Sequence, residues 1–134
     1  VAEQTLIRRP NVSLLRLVLT HIEMHPHQWN QRDWRTLSEC GTAYCFAGWT
    51  VVLSGGKFAV NPYSNQICQT RVVPAGVDPT DVTKWQHVAE YAADLLGITP
   101  PIRGDAVIHP LFLAINTLDD LRRVVAELCE AAGA

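Results

Sequence analysis

The 134-residue sequence is the length of one globular domain. Hydrophobic residues make up 48% of it and charged residues 18%, a balance that excludes intrinsic disorder and predicts a well-filled core needing no disulfide or metal staple. Eleven Lys and Arg against thirteen Asp and Glu leave a net charge of −2, which argues against a general nucleic-acid binder, and the longest apolar run, Ala43 to Leu53, is too short to cross a membrane.

From Ser13 to Met24 apolar residues recur at Leu14, Leu15, Val18, Leu19 and Ile22, a helical period with Asn11 or Ser13 as N-cap and Pro26 as stop. The polar stretch His25 to Glu39 reads as a loop or irregular helical turn pinned by Trp29 and Trp34. A second helix is expected from Thr42 to Ser54, ended by Gly55-Gly56; it is apolar on nearly every face, which places it at the centre of the domain. Phe58 and Val60, the turn-prone Asn61-Pro62-Tyr63-Ser64-Asn65 and the run Ile67 to Val73 then form a β-hairpin.

Asp78-Pro79 or Thr80 opens a third predicted helix, with Val82, Trp85, Val88, Ala89, Ala92, Leu95 and Leu96 on one face and Gly97 closing it. Residues 99–115 are broken by prolines around the apolar plug Leu111-Phe112-Leu113. Thr117 starts a last helix with a capping box, the buried stripe Leu118, Leu121, Val124, Val125 and Leu128, and an Asp119–Arg123 pair on its wet side. The expected fold is therefore mainly α: a single domain over 1–134, with four principal helices around the central apolar one and one small β-hairpin.

The stretch Cys40-Gly41-Thr42-Ala43-Tyr44-Cys45-Phe46-Ala47-Gly48-Trp49, with Leu95-Leu96-Gly97-Ile98-Thr99, Leu111-Phe112 and Asn116-Thr117-Leu118-Asp119-Asp120-Leu121-Arg122, resembles a group of small proteins from actinobacteria and their bacteriophages. The resemblance implies a bacterial or host-cell cytosolic setting and carries no mechanism. Pro101, Gly104 and Pro110 stand where a short acidic helix is more usual in that group.

Two constellations suggest chemistry. Cys45, near the start of a helix, would have its thiolate favoured by the helix dipole, and His109 and Asn116 downstream would complete a papain-like thiol hydrolase. The spacing does not match that family, and a buried structural cysteine is the competing reading. His21 and His25 lie four apart on one helix, and Cys40 and Cys45 could complete a tetrahedral zinc site. The Cys-x4-Cys spacing is outside the common zinc patterns, and a hydrogen-bonded helical histidine followed by a Pro-bounded stop competes with it.

No glycine-rich phosphate loop or paired-carboxylate site is visible, so no cofactor is expected. Four cysteines without a secretory pattern are expected to be reduced thiols in a cytosol, since Arg8, Arg9 and Pro10 stand where a leader would need an apolar run. The expectation that remains is a non-enzymatic protein-interaction role, toward a host protein or a second copy in a homodimer. Trp29 and Arg32 in the aromatic loop, with Val60, Tyr63 and Ile67 on the hairpin, are its contact candidates.

Overall fold

Helix α1 (Val12–Met24) begins where the Asn11 side chain accepts from the Leu14 N–H at 3.1 Å, and it buries Leu15, Val18 and Ile22 completely. Each of these aliphatic side chains contributes about 2 kcal/mol on leaving water. The computed structural model describes residues 9–38, 41–98 and 109–133. After α1 come strands β1 (Arg35–Ser38) and β2 (Gly41–Tyr44), helix α2 (Phe46–Leu53), strands β3 (Lys57–Val60), β4 (Ile67–Val73) and β5 (Gln86–His87), then α3 (Val88–Leu96) and α4 (Leu118–Ala131).

The sheets correct the expected class. β1 and β2 form an antiparallel pair, with Arg35 opposite Tyr44 and Ser38 opposite Gly41. β3, β4 and β5 form a second antiparallel sheet in that order. The protein is a mixed α/β fold and not a mainly α domain with a single hairpin. The central helix is also shorter than its apolar run, because residues 41–44 pair with β1 and Cys45 becomes the N-cap of α2. Thr42, Ala43 and Tyr44 suit either period, and a short apolar run cannot choose between strand and helix by itself.

The third helix starts ten residues later than Asp78. The Asp78 carboxylate accepts from the backbone N–H and hydroxyl of Thr80, and Asp81 accepts from the same two groups of Thr83. Such local side-chain bonds hold the backbone in turns that compete with a helix. Trp85 Nε1 donates to the Pro79 carbonyl at 3.1 Å and closes the segment, and Gln86–His87 then pair with β4 as a sheet edge. Only after His87 Nδ1 accepts from the Ala89 N–H does α3 begin, ending at Gly97 with φ 69°.

The central position expected of α2 holds. Phe46, Ala47, Trp49 and Val51 are buried, and the helix packs against α1, α3, β2 and the turn Pro110–Phe112. Its one buried hydroxyl, Thr50 Oγ1, donates to the Phe46 carbonyl at 2.8 Å. α4 carries the predicted capping box, with Thr117 and Asp120 bonded reciprocally. Its ion pairs differ by one position from the expected one: Asp119 meets Arg122 at 2.9 Å, and Arg122 also reaches Glu23 on α1 at 2.7 Å. No helix of the described residues is long and apolar enough to cross a membrane.

Candidate functional site

Cys45 sits between β2 and α2 at 1% exposure, its sulfur accepting from the Gly48 N–H at 3.5 Å. Burial pushes the thiol up to about 12, outweighing the backbone N–H groups that pull it down. At neutral pH it therefore stays protonated, whereas a cysteine nucleophile must present an accessible thiolate. His109 is occupied as a cap, Nδ1 accepting from the Leu111 N–H, and burial lowers its pKa. Asn116 Nδ2 donates to the Pro110 carbonyl at 2.7 Å. His109 and Asn116 thus both brace the Pro110–Phe112 turn, while Cys45 belongs to the core cluster.

His21 and His25 are stacked, with ring centroids 4.3 Å apart and planes inclined by 25°. Lone pairs of nearly parallel stacked rings do not converge on one tetrahedral ion. His25 Nδ1 lies 2.9 Å from the His21 carbonyl, and the His21 ring is tilted against Trp49 with centroids 4.2 Å apart. Cys40, the remaining candidate ligand, lies outside the described residues.

His21 Nε2 is sealed from solvent and has no hydrogen-bond partner among the described residues, and burial followed by the neighbouring His25 lowers the His21 pKa. The same direction holds for His109. Below the ordinary histidine value of about 6.5 the unfolded chain takes up protons that these two rings refuse. Their stability contribution is thus complete above that value and is lost as pH falls toward the lowered folded values. We expect a lower urea midpoint at about pH 5.5 than at about pH 7.5, and a smaller difference in His21→Phe. An unchanged difference in that variant would remove His21 from the account.

The loop after α1 is held by one buried amide. Gln31 Nε2 donates to the carbonyls of Leu111 and Leu113, both at 3.1 Å, while Oε1 accepts from Trp29 Nε1 at 3.0 Å and from the Phe46 N–H at 3.2 Å. Trp49 Nε1 adds a bond to the Gln28 carbonyl at 2.8 Å. Trp34 reaches His87 and Phe112 edge-on. Of the two contact candidates in this loop, Trp29 is half-buried and tied to Gln31, and Arg32 is exposed. Both border a shallow cleft with Ile115, itself exposed.

The hairpin divides its apolar residues between two roles. Phe58 and Val72 face each other across β3 and β4 and join the helical core. Val60 and Ile67, also cross-strand partners, are 46% and 42% exposed, and Tyr63 at the turn is 97% exposed. That turn is built as its sequence suggests, with the Asn61 side chain accepting from the N–H groups of Tyr63 and Ser64 and Asn65 at φ 57°. Between the sheet and the Pro79–Trp85 segment runs a groove of about 420 Å³, lined by Ala59, Val73, Val82 and Trp85 with Lys57 and Val60.

Sequence reasoning missed Gln31 and the Trp85 side of this groove. A lone glutamine in a polar loop carries no signal of burial. Helical period places Val82 and Trp85 on a buried face, and the Asp-x-Thr pairs at 78–80 and 81–83 are the available sign that the backbone turns there instead. Comparison of the chain with protein-family models, curated proteins and solved structures finds no match.

Proposed function

We propose that this protein is a non-enzymatic protein-binding module that engages its partner through the hairpin face of the β3–β4–β5 sheet. The observation that carries the reading is the exposed apolar cluster Val60, Tyr63 and Ile67, set beside the outer edge of β3, which pairs with no strand among the described residues. An end strand with exposed apolar neighbours is a template for another polypeptide. The protonated, buried Cys45 gives the competing hydrolase no nucleophile. The resemblance to small actinobacterial and phage proteins makes a host protein of the bacterial cytosol the partner, and Trp29 and Arg32 a second contact region.

The test is to introduce Lys at Val60 and at Ile67 separately, each folded by circular dichroism, and to use both as bait in an actinobacterial lysate. A partner identified by mass spectrometry should re-form a stoichiometric complex with the purified wild-type protein and bind both variants at least about tenfold more weakly, on the scale of a hot-spot loss. Equal binding by folded variants would refute the surface. Light scattering of the wild type decides whether the partner is instead a second copy.

A further inference from the structure

Beside β3 and β4 lies a second, smaller set of buried apolar residues. Ala59 and Val73 are 1% and 2% exposed, yet neither belongs to the main core. They form the groove with Pro79, Val82 and Trp85, and the far wall is braced by the Trp85–Pro79 hydrogen bond and by the two aspartate turns. Val60 and Val82, both exposed, stand at its lips. A groove of this volume with an apolar lining has room for a large side chain.

Three features meet here: an apolar slot, an end strand, and a single charge. Lys57 is the only charged residue lining the groove, and it pairs with no carboxylate among the described residues. Resting on the module reading above, we propose that the site binds an extended segment of the partner protein, added as a further strand beside β3. One large apolar side chain of that segment fills the groove, and an Asp or Glu close to it in sequence meets Lys57 Nζ. Main-chain bonds along β3 supply affinity, and the groove and Lys57 select the sequence. A second copy of this chain does not meet the requirement, because the strand it would add, Lys57-Phe58-Ala59-Val60, contains no acid to meet Lys57.

The experiment is selection from a displayed library of random heptapeptides on the immobilised full chain, run in parallel on wild type, Lys57→Glu and Lys57→Met. The wild type should enrich peptides with an aromatic or large aliphatic residue and an acid within two positions of it. Lys57→Glu should replace that acid by Lys or Arg, and Lys57→Met should abolish the charge preference while the apolar one persists. Lys57 is exposed, so both variants are expected to fold, and circular dichroism verifies this. No enrichment on the wild type, enrichment without an acid, or an unchanged preference in both variants would overturn the proposal. If Ile67→Lys abolishes partner capture while Lys57→Glu leaves it intact, the module reading stands and the groove is not its recognition element.

Discussion

Gln31→Leu is expected to destabilise the protein by about 3–5 kcal/mol in urea denaturation, although leucine is the more hydrophobic side chain. The amide meets four groups on three segments: the carbonyls of Leu111 and Leu113, the Phe46 N–H at the start of α2, and the Trp29 indole. Removing it strands these groups where water reaches only some of them, and each buried orphan costs about 1–3 kcal/mol. Gln31→Glu separates the two halves of the network. At pH 8 the introduced carboxylate still accepts from Trp29 and Phe46 but cannot donate to either carbonyl, so the loss should be comparable to that of leucine. As the carboxyl protonates on acidification its hydroxyl regains one donor, and the gap to wild type should narrow. A loss below about 1 kcal/mol for Gln31→Leu would mean the loop is not held by this residue.

The second large effect is expected at Gly48, where Ala should cost about 2–4 kcal/mol. A Cβ there would lie 2.3 Å from the Trp34 carbonyl oxygen and 2.9 Å from Tyr44 Cβ, and neither is the free end of a flexible side chain. Relief requires α2 to move away from the β1–β2 unit and the loop that leads into it. Helix propensity works in the opposite direction, since Ala in a helix interior is favoured over Gly by about 1 kcal/mol. The sign of the measured change therefore decides between them. A neutral or stabilised Gly48→Ala protein would show that the contact is loose, and a destabilised one would show that the glycine is required for the close approach of Trp34.

The polar loop and the glycine belong to one arrangement, and it explains why the Cys45 thiol is closed off from solvent. Trp29, Gln31 and Trp34 bring loop backbone onto the start of α2, and the thiol is enclosed beneath it. The histidines meet similar fates. His21 is stacked on His25 and tilted against Trp49, while His87 and His109 use Nδ1 to cap α3 and the Pro110–Phe112 turn. Cys45, His87 and His109 each cap the short element that follows them.

Elements whose signals are local were legible in the sequence alone. The Asn11 cap, the Thr117 capping box, the left-handed Gly97 and the Asn61–Asn65 turn each depend on side chain and backbone a few residues apart, and all four appear where the residues place them. The apolar stripes of α1 and α4 and the interior position of α2 follow from period and composition, which act over single helices. The sheets were decided by tertiary structure. Residues 41–44 and 86–87 suit more than one local conformation, and they become strands because β1 and β4 lie alongside to pair with them. Burial of Gln31 depends likewise on carbonyls some eighty residues away in sequence. The groove beside β3 exists because the Asp78–Trp85 segment folds across the sheet instead of continuing α3 backwards, a choice in which aspartate turns and a tryptophan–carbonyl bond outweigh helical periodicity. Contacts distant in sequence leave no periodic trace, so the hairpin side of the proposed recognition site is legible in the sequence while its Val82–Trp85 wall is displayed only by the folded chain.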